Sequence, residues 1–177
     1  VVRECKAMIL PQAQKRGIGV SFPLLEFPYI VKADRTRVKQ VLINLLSNAI
    51  KYNREGGTVV VDCITGAEGR IRVCVKDVGE GLSAEKLAQL FQPFNRLGQE
   101  SNDEEGTGIG LVVCKRLIEL MGGAIGVDSV VGQGSVFWFE LNLTNELTLE
   151  AHWPDAVELT NTHIDAEAHC HTLLYVE

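Results

Sequence analysis

The stretch Val38-Lys39-Gln40-Val41-Leu42-Ile43-Asn44-Leu45-Leu46-Ser47-Asn48-Ala49-Ile50-Lys51-Tyr52 carries two patterns at once. Val38, Val41, Leu42, Leu45, Ala49 and Ile50 recur at helical spacing, which predicts a largely buried helix over residues of about 35 to 52. Gln40, Asn44, Asn48 and Lys51 recur at intervals of four, four and three, so amides and an ammonium share one face of that helix. An amide carbonyl can ligate a hard cation such as Mg2+, which keeps several waters and needs few protein oxygens, and Lys51 can meet a phosphate as a point charge. A helix whose solvent edge simply carries Asn has the same spacing, and the stripe alone does not choose between the two.

Outward from this helix, Thr58 to Ile64 and Ile71 to Lys76 are β-rich runs separated by Thr65-Gly66-Ala67-Glu68-Gly69, a hairpin signature. Ser83 can N-cap a short helix through Leu90, with Glu85 in its first turn. Leu111 to Met121 is again helical and is stopped by Gly122-Gly123, which suits a left-handed C-cap. Ala124 to Val130 and Ser135 to Leu141 form a second hairpin around Val131-Gly132-Gln133-Gly134. Hairpins interleaved with helices predict a two-layer α/β sandwich, a mixed and mostly antiparallel sheet with helices on one face.

Two glycine motifs lie where elements begin and end. Asp77-Val78-Gly79-Glu80-Gly81 closes the second strand. A carboxylate there can accept from an exocyclic amine, with Gly79 and Gly81 letting a flat ring approach the backbone. An Asx-type turn is the plainer alternative, and an isolated Asp-x-Gly-x-Gly favours it. Gly106-Thr107-Gly108-Ile109-Gly110-Leu111 opens a helix, where backbone N–H groups suit a di- or triphosphate. A loop hinge is the competing reading. The spacing and the preceding acidic stretch exclude a Rossmann turn, and no Gly-Lys-Ser/Thr follows to make a Walker A loop.

Composition narrows the classes further. The 177 residues suit about one domain, and a net charge of -6 argues against a chain that coats nucleic acid. The apolar runs fall well short of the ~20 residues of a membrane-spanning helix. Five scattered cysteines without a Cys-x-x-Cys pair suit reduced cytoplasmic thiols better than disulfides or structural zinc. The opening Val1-Val2-Arg3-Glu4 reads as part of a longer protein, whose membrane attachment upstream stays open. All four histidines (His152, His163, His169, His171) fall near the C-terminal end, where the pattern turns polar beyond about residue 143.

Taken jointly, these motifs reach a family. Asn44 to Tyr52 resembles the N box of histidine-kinase catalytic domains, Asp77 to Gly81 their G1 box, and Phe91-Gln92-Pro93-Phe94 their F box. Gly106 to Leu111 is similar to their G2 box, and Gly132-Gln133-Gly134-Ser135-Val136-Phe137 to their closing G3 strand. The resemblance covers residues of about 1 to 143 and implies a Bergerat-type ATP-binding sandwich, shared with gyrase, Hsp90 and MutL ATPases. It implies that Asn48 ligates Mg2+, that Lys51 and Tyr52 approach phosphate and ribose, and that Asp77 accepts from the adenine amine. Gly79, Gly81 and Leu82 would line the base, with Ser135 of the closing strand also in the nucleotide site. The Gly106, Thr107, Gly108, Ile109, Gly110, Leu111 segment would meet the phosphates. Arg96 would be a phosphate partner at the edge of a lid whose mobile stretch spans Gly98 to Glu105. Glu80 stands where an apolar residue is more usual and is expected to face solvent.

The resemblance also separates kinase from hydrolase, because hydrolysing members carry Glu at the position of Asn44. Water needs that base, whereas a neutral imidazole brings its own lone pair and needs positioning and charge stabilisation. Asn44, Asn48 and Lys51 are therefore the expected catalytic set of a protein-histidine kinase. No histidine precedes residue 152, so the dimerisation and histidine-phosphotransfer segment is expected upstream, in a homodimeric parent. A pseudokinase module acting by interaction is the alternative. Residues 144 to 171 read as a linker, and Thr172-Leu173-Leu174-Tyr175-Val176-Glu177 resembles the first strand of a receiver domain, which would serve in cis beside or in place of a response regulator. A disordered end, or a metal site from His163, His169, Cys170 and His171, competes with that reading of the tail.

Overall fold

The computed structural model describes residues 1–23, 29–66, 69–93 and 108–144, and the backbone of a strand at 172–174. Among them, the helix expected at 35 to 52 is α2 (Arg35–Lys51). Asp34 caps it by accepting from Arg37 N at 3.0 Å, and its last turn closes through Tyr52 N to Asn48 O. Val38, Val41, Leu42, Leu45, Leu46, Ala49 and Ile50 are buried along one side, so the helix is held by its apolar face rather than by propensity.

Before it come α1 (Val2–Lys15), β1 (Gly19–Ser21) and β2 (Tyr29–Val31). α1 buries Val2, Cys5, Ile9 and Ala13 against α2. The contact is fastened at one end by Glu4 to Arg35 and Lys39, and further along by Gln12 Nε2 donating to Ser47 Oγ at 3.1 Å. Arg16 Nη1 donates to Lys51 O at 2.9 Å, setting a cation on the carbonyl end of α2.

After it come β3 (Thr58–Thr65), β4 (Arg70–Asp77), α3 (Ala84–Gln89), α4 (Gly110–Leu120), β5 (Ala124–Val130), β6 (Gly134–Asn142) and β7 (Thr172–Leu174). The main sheet runs β1-β3-β4-β6-β5, with β1 parallel to β3 and the other pairs antiparallel. A second pair sets β7 antiparallel to β2, whose Val31 also bridges Leu143. Ser83 caps α3 by accepting from Lys86 N, and Gly122, at φ 73, ends α4 as expected.

Alternation decides the two layers. Val59 and Val61 of β3, Ile71, Val73 and Val75 of β4, and Phe137, Phe139 and Leu141 of β6 point to the helices and are buried. Phe139 is fully buried, and truncating it to Ala would cost about 3 to 5 kcal/mol. The opposite face is polar, with the Arg72 guanidinium 4.0 Å from the Trp138 ring centroid, Trp138 Nε1 donating to Asp128 Oδ2, and Arg72 paired with Glu140. That face needs no second helical layer. The same alternation carries Asp77, last residue of β4, onto the inner face, where it and Ser135 are the buried polar side chains among the described residues.

Candidate nucleotide site

Asp77 is 5% exposed, and its Oδ1 accepts from two backbone donors, Gly79 N at 2.9 Å and Ser135 N at 3.2 Å. Its other oxygen has no hydrogen-bond partner among the described residues. Burial pushes the carboxyl above its usual range, and the two N–H donors offset this in part. A buried acceptor with one oxygen bonded and one without a partner among the described residues can take a further donor.

The glycines beside it answer to packing as well as to any ligand. A Cβ on Gly79 would overlap Tyr52 O at the end of α2, so the loop lies directly on that helix. One on Gly81, at φ 71, would overlap Val130 O of β5. The expected approach of a flat ring to these glycines is therefore joined by close backbone contacts that also demand them. Glu80 is exposed, as anticipated, and its carbonyl accepts from Gly132 N at 2.7 Å. Leu82 is half-buried against the core, and its N donates to Ser129 Oγ at 2.8 Å.

On α2, Asn48 Nδ2 donates to Asn44 Oδ1 at 3.3 Å, which leaves Asn48 Oδ1 for another partner. Asn44 is in turn covered by the start of α4, where a Cβ on Gly110 would come within 2.6 Å of Asn44 Nδ2. The fold thus brings the N-terminus of α4, where no side chain among the described residues caps the first N–H groups, onto the amide stripe of α2. Gly108 takes φ 69 just ahead of it, and Ile109 is exposed. Lys51 Nζ lies 5.1 Å from the centroid of the exposed Tyr52 ring.

Arg96, Gly106, Thr107, the Gly98 to Glu105 stretch and the four histidines lie outside the described residues. Among the described residues no three His, Cys, Asp or Glu side chains gather as a metal site, and no helix is long and apolar enough to cross a membrane. Sequence reasoning passed over Ser129, which the register sets opposite Ser135 and whose hydroxyl lies 2.9 Å from that of Ser135. A three-residue hairpin loop pairs 129 with 135, so the count across the turn was the available signal.

A buried carboxylate whose loop lies on the end of an amide-bearing helix, and a glycine-led helix N-terminus that lies on the same helix, are the parts of a nucleotide-binding α/β sandwich. Comparison with known proteins agrees. Residues 33–145 match the family described as histidine kinase-, DNA gyrase B- and HSP90-like ATPase, and the chain belongs to that family. The sensor protein GacS of Pseudomonas syringae pv. syringae is 40% identical over 148 residues, which are 81% of this chain and 16% of that protein. The chain therefore spans only a small part of that relative. The catalytic domain of histidine kinase ThkA is 33% identical with a TM-score of 0.69, covering 80% of this chain and 89% of that one. ThkA in complex with response regulator protein TrrA matches at 32% identity, with a TM-score of 0.65 over 81% of this chain and 39% of that one. Full-length ShkA in complex with AMPPNP is 34% identical with a TM-score of 0.70, over 80% of this chain and 29% of that one. Within its family this chain is the ATP-binding catalytic domain of a sensor histidine kinase, and its sandwich is the Bergerat fold.

Proposed function

We propose that this domain holds ATP with Mg2+ between α2 and the start of α4 and presents the γ-phosphoryl to a histidine on a dimerisation segment upstream in a homodimeric parent. The observation that carries the reading is Asp77, whose open oxygen suits the exocyclic amine of adenine while the paired one is fixed by Gly79 and Ser135. Gly79, Gly81 and Leu82 line the base, and Ser135 joins them through its N–H to the carboxylate.

The donor set fits a magnesium ion. A single amide oxygen, Asn48 Oδ1, with no carboxylate cluster among the described residues, suits a cation that binds through few protein oxygens and otherwise through water and phosphate. The ion would supply neutralisation of phosphate charge. The N–H groups of Gly108, Ile109, Gly110 and Leu111, with Gly106 and Thr107 ahead of them, would hold the phosphates, helped by Lys51 and Arg96. Tyr52, beside Lys51, sits toward the ribose. Asn44 carries no proton acceptor strong enough to activate water, and its covered position against Gly110 suits positioning of Asn48. An imidazole acceptor needs nothing more from this chain than alignment and charge stabilisation.

ThkA, solved with response regulator TrrA, supports a response regulator or a receiver domain as the next recipient. The apolar run Thr172-Leu173-Leu174-Tyr175-Val176 after a polar stretch supports reading 172–177 as the start of such a receiver after a linker over 144–171. The unpaired thiols of Cys5, Cys63, Cys74 and Cys114 suit a cytoplasmic setting.

The test is calorimetric titration of the chain with Mg-ATP before and after Asp77→Asn. Losing a charge-assisted hydrogen bond costs roughly 1.5 to 3 kcal/mol, so affinity should fall about tenfold or more. Unchanged binding would remove Asp77 from the nucleotide site.

A further inference from the structure

Ser129 of β5 belongs to none of the motifs that suggest the site, yet three parts of the site converge on this one hydroxyl. Its Oγ accepts from Leu82 N at 2.8 Å, lies 3.0 Å from Gly134 O, and lies 2.9 Å from Ser135 Oγ. A hydroxyl has one proton to give and two lone pairs to accept with. Leu82 N–H takes one lone pair, Gly134 O takes the proton, and the Ser135 hydroxyl donates to the other lone pair. The group is then fully used.

Gly134 C=O and Ser135 N–H are the two ends of one peptide unit, and that N–H donates to Asp77 Oδ1. Gly134 stands at φ 105, where a Cβ would overlap Asp77 O, so its backbone cannot be held there by a side chain of its own. The hydroxyl of Ser129 supplies the hold from across the strand pair. Through Leu82 it also fastens the loop after Asp77 to β5, alongside the Gly132 N to Glu80 O bond at 2.7 Å. Of these two ties between loop and hairpin, only the first depends on a side chain.

We infer that Ser129 is a positioning residue for base recognition, which sets the Asp77 carboxylate and the Leu82 loop in one register and so makes the site prefer a ring amine over a ring carbonyl. The inference rests on the proposed placement of the base at Asp77. It assigns Ser129 no contact with the nucleotide. Its effect passes through the 134–135 peptide and Leu82, and it therefore concerns the base and not the phosphates.

The experiment titrates the full chain with Mg-ATP and Mg-ITP, which differ by an amine against a carbonyl on the ring, in wild type, Ser129→Ala, Ser129→Thr and Asp77→Asn. Each net hydrogen bond is worth roughly two- to tenfold in an equilibrium constant. Ser129→Ala should weaken ATP about tenfold and ITP by less than about twofold, and Ser129→Thr, which keeps the hydroxyl, should retain the wild-type ratio. If Ser129→Ala does not fold, Ser129→Val against Ser129→Thr, equal in shape and differing in the hydroxyl, gives the same comparison. An equal loss for both nucleotides means general loosening of the fold and overturns the inference, as does an unchanged ratio. If Asp77→Asn narrows the ratio and Ser129→Ala does not, only the inference about Ser129 fails. If neither narrows it, the placement of the base at Asp77 fails first.

Discussion

Replacing Gly81 by Ala perturbs the loop that follows Asp77 at its tightest point. Gly81 stands at φ 71, a left-handed conformation that costs an L-residue about 1 to 2 kcal/mol. The new methyl would also overlap Val130 O and lie 2.7 Å from Val130 C and 3.1 Å from Val131 Cα. These are backbone atoms of a paired strand and its turn, so relief must come from moving the loop, with an overpacking cost of about 1 to 3 kcal/mol. Moving it stretches Leu82 N to Ser129 Oγ and Gly132 N to Glu80 O. Together the destabilisation should reach about 2 to 5 kcal/mol in urea unfolding, with ATP affinity lowered about tenfold or more as the base lining shifts. Gly132→Ala is the control, because Gly132 also has positive φ, at 80, but a Cβ there meets nothing within 4 Å. It should cost only the backbone term, about 1 to 2 kcal/mol, and leave ATP affinity within about threefold. Gly81→Ala losing less than about 1 kcal/mol while binding ATP as wild type would refute the packing argument.

Asp77→Asn should separate function from stability. The folded carboxyl sits above its unfolded value, near 3.8, so the folded state binds more protons between the two values, and stability falls as pH rises through that window. At pH 7 the ionised group is a cost, and the variant without nucleotide should match or exceed wild type in urea midpoint, the advantage vanishing below about pH 4. A variant clearly less stable at pH 7 would contradict this. The thiols of Cys5, Cys63 and Cys114 are pushed by burial up to about 11, 12 and 12. At pH 8 they should alkylate about a hundredfold or more slowly in the folded protein than after denaturation. Mass spectrometry showing equal rates would show that these sites open.

Much of the architecture is legible in the sequence because it rests on local signals. α2 and α4 show helical periodicity, with Gly122 at the end of α4, and both hairpins show alternation around glycine turns. The elements that escape are short or masked by composition. The buried stripe of α1 uses the small residues Cys5 and Ala13, and its sequence carries Pro11, ordinarily a helix breaker, while β1 and β2 have three residues each, too few to alternate. Partners distant in sequence define them, Thr58 to Val60 for β1 and Thr172 to Leu174 for β2. In the site, the acceptor Asp77 and the amides of α2 are readable, since chain position and spacing give them away. The roles of Tyr52 O, Val130 O and Ser129 are not, because they depend on backbone approaches between elements that no spacing encodes.

Phosphoryl transfer in trans tests the central claim most directly. The chain is incubated with Mg2+ and ATP labelled at the γ-phosphate, with and without the separately produced dimerisation segment of the parent. The account predicts acid-labile, alkali-stable phosphate on that segment, none on the chain alone, and no phosphate release above background, since Asn44 stands where a water-activating carboxylate would be needed. Steady phosphate release by the chain alone, abolished by Asn48→Ala and unaccompanied by label on the segment, would show a hydrolase instead.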